Sequence, residues 1–233
     1  PGTGDFDCDP SRTSVNLHGD VVVTNRYPRP DDPEKVPSPE TVEHSSVTKF
    51  AAARNNCVDK NSDGFITTST GPDDVLPWGH DECMIWNTDL GFIDGKSPRA
   101  RATAWDGSED PETGEGGIVA IGTCIAYADP WDEDSAAPPD VEWGWGNNYV
   151  VLLNGDTGEE LANSPHVVPN TECFYGGAMD AEGNLWIMDG YGFPNANGAG
   201  GLIKVNLASG EYDQYVEQCG YGISVDADGN GVA

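Results

Sequence analysis

The residues best spaced for chemistry lie together at Asp59-Lys60-Asn61-Ser62-Asp63-Gly64-Phe65-Ile66. Oxygen-bearing side chains alternate along a turning backbone, a glycine permits the sharp bend, and an apolar residue follows. This is the first half of an EF-hand-type calcium loop. Asp59, Asn61 and Asp63 supply side-chain oxygens, and Phe65 supplies its carbonyl, so Ca2+ is the expected cofactor. Thr70 stands where a bidentate Glu closes such loops, and no helical pattern flanks the segment. Asp73, Asp74 or water must then complete the shell. The competing reading is an Asp/Asn-rich turn without metal.

Other candidates are weaker. Asp5, Asp7 and Asp9 repeat the carboxylate spacing, but Pro10 replaces the glycine, which reads as a solvated acidic segment. Asp226-Ala227-Asp228-Gly229-Asn230 resembles a calcium loop, yet Asp180-Ala181-Glu182-Gly183-Asn184 is its twin, and a hairpin turn explains both. Four histidines are present, His18, His44, His80 and His166, none within a recognised catalytic motif. His80, beside Asp81 and Glu82, reads as an exposed loop residue before it reads as a base or ligand. Trp131, Trp143 and Trp145 stand among carboxylates in the loop 129–148. They suit a sugar or a cation, or fold back as a cap. No catalytic residue is assigned.

Six cysteines, Cys8, Cys57, Cys83, Cys124, Cys173 and Cys219, form no CxxC pair and no zinc spacing. An even number of scattered cysteines fits disulfides in an exported protein. Cys57 and Cys83 bracket the calcium-loop insertion and are expected to pair; Cys124 with Cys173 is the second expected pair. Cys8 and Cys219 pair with each other or with residues outside the sequence.

The 233 residues carry 11 Lys and Arg against 40 Asp and Glu, a formal net charge of −29. Such a chain repels phosphate backbones, which argues against nucleic-acid binding and docking on anionic membranes. No apolar run approaches the ~18 residues of a membrane span. The sequence starts with Pro1 and has no leader pattern, so a processed, secreted or cell-surface chain is expected.

With 30 Gly and 17 Pro, short strands and turns are favoured over helices. The elements come as a repeat. GGAMDAEGNLWIMDGYGFPNANGAGGLIKVNLASGE (176–211) reads as strand, tight turn, strand (Leu185 to Met188), loop, strand (Leu202 to Leu207) and turn. Tyr212 to Val216 forms a fourth strand. GISVDADGNGV (222–232) repeats the opening phrase about one propeller-blade length further on. The second strand recurs as GDVVVTNRY (19–27) and GGIVAIGTC (116–124), aligned with GNLWIMDGY (183–191). The third recurs as VVLLNGDTGE (150–159) and VTKFAA (47–52), aligned with LIKVNLASGE (202–211).

The expected fold is an all-β propeller of four-stranded blades in one domain, 1–233. Blades run over approximately 8–99, 100–172 and 173–218, and a partial fourth over 219–233. Insertions fall at 28–44, 53–99, 107–115 and 128–147, the second bearing the calcium loop. Three blades and a fraction do not close a ring, so another chain or a further part of the same polypeptide is expected to complete it.

The phrases GGAMDAEGNLWIMDG and LIKVNLASGE resemble the virginiamycin B lyase-like (streptogramin lyase) and NHL-type propellers. That resemblance implies the propeller fold and, in the lyases, a His base with a Mg2+ site near the axis. None of the four histidines maps onto that site, so no catalytic residue is carried over. The leading expectation is an exported calcium-binding propeller module with a binding or structural role and a carbohydrate or protein ligand. The alternative is an extracellular streptogramin-lyase-like enzyme.

Overall fold

The structure, a computed structural model, describes residues 9–26, 45–77, 79–94, 98–124, 146–171, 173–190, 201–215, 222–225 and 231–232. It is all-β. Three four-stranded antiparallel sheets follow one another along the chain, each with its strands in sequence order. The first holds β1 (Asp9–Val15), β2 (Val21–Arg26), β3 (Ser46–Phe50) and β4 (Met84–Asp89). The second holds β5 (Arg99–Trp105), β6 (Ile118–Cys124), β7 (Gly146–Asn154) and β8 (His166–Thr171). The third holds β9 (Phe174–Met179), β10 (Asn184–Asp189), β11 (Gly201–Asn206) and β12 (Tyr212–Tyr215). A two-stranded hairpin, β13 (Ser224–Val225) with β14 (Gly231–Val232), follows.

Side-chain alternation assigns each strand residue to one face. Val119, Ile121, Val151 and Leu153 of the second sheet pack with Val22, Val47 and Trp86 of the first. Their neighbours Ala120, Val150 and Leu152 pack with Leu185, Ile187, Ile203 and Val205 of the third. From the far face of the third sheet, Trp186, Met188 and Leu202 meet Ile223 and Val225 at the hairpin. The sheets therefore stack in chain order. A sheet covered on both faces needs apolar residues at consecutive positions, and all six residues of β10 are buried. First strands also meet, since β5 contacts β1 and β2 on one side and β9 on the other.

Glycines set the spacing of the stack. A Cβ on Gly122 would lie 2.9 Å from Ala102 Cβ and 3.0 Å from Phe174 Cβ, so the second and third sheets approach only with a bare backbone there. The β7–β8 turn reaches back onto the first sheet: Gly158 adopts φ +72° with Trp86 against it, and its carbonyl accepts the Thr88 hydroxyl at 2.7 Å. The β11–β12 turn does the same one sheet later. Gly210, at φ +74°, sits against the His166 ring, whose Nε2 donates to the Leu207 carbonyl at 2.7 Å.

Two sequence expectations need correction. In the second sheet, Ile118 pairs with Asn154 as Asn184 pairs with Asn206 in the third, so Ile118 takes the place of Asn184. The alignment of Gly116 with Gly183 is thus one residue off. The reason is local: Gly116 and Gly117 both adopt φ +80° and absorb an extra residue before β6. Second, β4 lies inside the 53–99 segment that the repeat pattern assigns to an insertion. The true insertion is the β3–β4 connection, and MIWNTD completes the first sheet. Segments 28–44 and 128–145 lie outside the described residues.

Both expected disulfides are present. Cys57–Cys83 closes the β3–β4 connection, and Cys124–Cys173 joins the end of β6 to the residue before β9. Two intramolecular disulfides point to an oxidising environment. Among the described residues, no helix is long and apolar enough to cross a membrane. Cys8 and Cys219 lie outside the described residues.

Candidate metal site

The loop at 59–65 is built by its own side chains. Asp63 N–H donates to Asn61 Oδ1 at 2.8 Å and to Asp59 Oδ1 at 3.2 Å. Gly64 N–H donates to Asp59 Oδ2 at 2.8 Å, and Phe65 N–H to Asp63 Oδ1 at 2.8 Å. Asp59 Oδ1 and Asn61 Oδ1 thus meet at one N–H, while Asp63 Oδ1 caps the next turn of the chain. Ser62 at φ 60° and Gly64 at φ 86° make the turn, and Gly64 is glycine for its conformation, because a Cβ there meets nothing. The Phe65 side chain points away from the protein at 76 % exposure, leaving its carbonyl as its contribution to a site.

Glu82 is the residue that sequence reasoning missed. It is only 3 % exposed in an otherwise solvent-rich insertion. Its Oε1 accepts the N–H groups of Lys60 at 2.9 Å and Asn61 at 3.3 Å, and its Oε2 accepts Thr67 N–H at 2.6 Å. One carboxylate therefore ties both arms of the loop together from the residue before Cys83. The signal was the acidic pair Asp81-Glu82 abutting a bridging cysteine. Of the residues proposed to complete the shell, Asp74 is held elsewhere, its Oδ2 accepting the Thr70 hydroxyl at 2.6 Å, and Asp73 is exposed.

Asp81 braces the next stretch, accepting from the Thr68 hydroxyl at 2.8 Å, Cys83 N–H at 2.9 Å and Ser69 N–H at 3.0 Å. Desolvation pushes its pKa up, but these hydrogen bonds outweigh that and hold it below the ordinary carboxylate value. Asp180, in the β9–β10 turn, behaves alike. Desolvation raises it, while the Asn184 amide and N–H, the Trp186 indole and the Lys204 charge lower it further. Both groups take a proton less readily folded than unfolded. Their stabilisation is complete above the unfolded value of 3.8 and is lost as pH falls through the lower folded values. Urea titrations should show wild type more stable than Asp81→Asn by a constant margin above about pH 5, and a margin that shrinks in stronger acid. A margin that grows on acidification would contradict the assignment.

The histidines do not gather. His18 lies in the β1–β2 turn beside Asn56, His80 is exposed in the insertion, and His166 is buried in β8. His44, Trp131, Trp143, Trp145 and residues 226–230 lie outside the described residues, as do the side chains of Asp5, Asp7 and Asp9. Among the described residues, no group of three or more His, Cys, Asp and Glu is placed to hold a metal. The 59–65 loop offers two carboxylates, one amide oxygen and one carbonyl, the neutral-rich oxygen set of a hard-cation site.

Two charge clusters were also not foreseen. Lys49 in β3 is 4 % exposed, with Nζ 3.2 Å from Asp20 Oδ2, 3.1 Å from the Gly155 carbonyl and 5.2 Å from the Trp105 ring. Lys204 occupies the same register position in the third sheet, opposite Trp186 as Lys49 is opposite Val22, and its Nζ lies 3.7 Å from Asp180. The second cluster, Arg12 and Arg101 on Tyr175, draws on the first strand of each sheet. A charged residue inside the apolar run ARATAW was its sequence signal.

Compared with protein-family models and with curated proteins, the chain matches none.

Proposed function

We propose that the chain is an exported, calcium-stabilised β-propeller module serving binding or structure at a cell surface or in an extracellular assembly. The propeller reading is supported by three in-order four-stranded sheets stacked face to face with first strands in contact. A ring of about four to eight blades needs further sheets, and the hairpin at Ile223 and Val225, packed on the third sheet, is where the next one begins. Export is supported by the two disulfides.

The observation that carries the calcium reading is the loop geometry, in which Asp59, Asn61 and Asp63 each accept N–H groups of their own turn, as in a calcium loop. A hard cation replaces none of the fold's core contacts there. It neutralises two carboxylates that otherwise repel each other. The streptogramin-lyase-like alternative calls for His and carboxylate side chains gathered near an axis; the described first strands bring together Arg12, Arg101 and Tyr175 instead.

Calorimetric titration with calcium chloride tests the reading. One ion per chain is expected, in the ~10⁻⁴–10⁻³ M range of extracellular modules. Asp59→Asn or Asp63→Asn should weaken it at least about tenfold, the loss of one charged ligand contact. Wild type that takes up no calcium at about 10 mM, or variants that bind as well as wild type, would overturn it.

A further inference from the structure

Each of the three sheets has an irregular first strand, and the irregularities coincide. In β1 one extra residue, Ser11, separates the pairs Pro10–Asn25 and Arg12–Thr24. In β5 the extra residue is Arg101, between Ala100–Thr123 and Ala102–Gly122. In β9, Tyr175 and Gly176 stand against the single residue Met188 of β10. Bulges re-aim side chains out of the regular alternation and concentrate next to sites. Here the re-aimed side chains meet. The guanidinium carbons of Arg12 and Arg101 lie 4.4 Å and 4.9 Å from the centroid of the Tyr175 ring.

Arg101 carries the electrostatic deficit of this convergence. Arg101 is 5 % exposed and its Nε has no hydrogen-bond partner. Among the described residues, no carboxylate forms a salt bridge with it, whereas the buried Lys49 is paired with Asp20. The face of Tyr175 attracts a cation, but a ring face does not neutralise the buried Arg101 guanidinium. Nor is crowding of cations a matter of composition, with 11 Lys and Arg against 40 acids. A buried charge is stable when paired.

We propose that Arg101 and Arg12, held on Tyr175, form a binding site for an oxyanion, the carboxylate or phosphate group of a small ligand. The guanidinium fork matches both groups through paired N–H donors. Tyr175 fixes the position of the forks. A neutral sugar or a cation would leave the Arg101 charge uncompensated. The site is independent of calcium, because the 59–65 loop lies on the β3–β4 connection.

The test is calorimetric titration of the full chain with sodium phosphate and, separately, with succinate, at matched ionic strength, with and without calcium. Wild type should bind at least one of them, and which one binds identifies the source of the oxyanion. Arg101→Gln should weaken that binding at least about tenfold, the loss of a charged hydrogen-bond donor. Arg101→Lys should restore only part of it, because an ammonium lacks the fork. Lys204→Gln, remote in register, should bind as wild type does. A cooperative melt establishes that each variant is folded; should Arg101→Gln not fold, Arg12→Gln takes its place with the same expectation. The proposal is overturned if wild type binds neither anion up to about 20 mM, or if the arginine variants bind as tightly as wild type.

Discussion

Replacing Cys124 and Cys173 together by serine should lower the unfolding free energy by about 4 kcal/mol, the chain-entropy value for a loop of this length. The bond joins the end of β6 to the residue before β9, and Cys173 is fixed there by its N–H on Asp189 Oδ1 at 2.9 Å. It therefore links two sheets whose interface carries the largest apolar cluster. Removing it enlarges the unfolded ensemble and leaves that interface to hold by packing alone. Urea unfolding of the double variant should show a lower midpoint. The Cys57–Cys83 pair gives a contrasting control. It spans a shorter loop whose contents contribute no residue to the apolar clusters, so its loss should open 57–83 locally before the sheets separate. Equal and purely global losses for the two pairs would contradict this division.

Lys49→Met should cost about 3–5 kcal/mol, the cost of leaving a buried carboxylate without its partner. Asp20 is 6 % exposed, and its Oδ1 is committed to Ala52 N–H at 2.8 Å, so it cannot turn to water. The methionine also forfeits the bond to the Gly155 carbonyl, which links the first sheet to the second. Combining Lys49→Met with Asp20→Asn should recover more than half of the loss, since the double variant buries no net charge. Lys204→Met should cost less, because the Lys204 side chain is 29 % exposed, its pair with Asp180 is longer, and the buried Asp180 keeps the Asn184 and Trp186 donors. If the double variant is no more stable than Lys49→Met, charge compensation is not what Lys49 provides.

Much of this architecture was legible because turn chemistry is local. The Asp-x-x-Gly-Asn turn at Asp180 and the Asn-x-x-x-Gly-Glu turns at Asn154 and Asn206 announce hairpins, and the strands beside them stand where the apolar runs end. The Asn154 and Asn206 turns close with the same bonds, each side-chain oxygen accepting two N–H groups of its own turn. The DPETGE stretch at Asp110 closes in the same way, a third copy hidden in what read as an insertion. Cysteines bracketing a poorly apolar segment were enough to pair Cys57 with Cys83.

What was not legible is non-local. Strand β4 follows the whole β3–β4 connection, so no short-range signal assigns it to the first sheet. Glu82 contacts the loop from more than a dozen residues downstream, where no motif spacing reaches. Arg12, Arg101 and Tyr175 are brought together by bulges in three separate strands, and the register shift in the second sheet shows how a single extra residue escapes a sequence alignment.

On the proposed reading, a calcium ion orders the disulfide-closed insertion while the stacked sheets stand on their own core. Hydrogen exchange with and without millimolar calcium tests it most directly, because the amides of Asp63, Gly64 and Phe65 already point at the oxygens that would hold the ion. Calcium should slow exchange across residues 59–67 by at least about tenfold while the amides of β6 and β10 keep their rates. Unchanged exchange in the loop, or an equal slowing throughout the sheets, would contradict it.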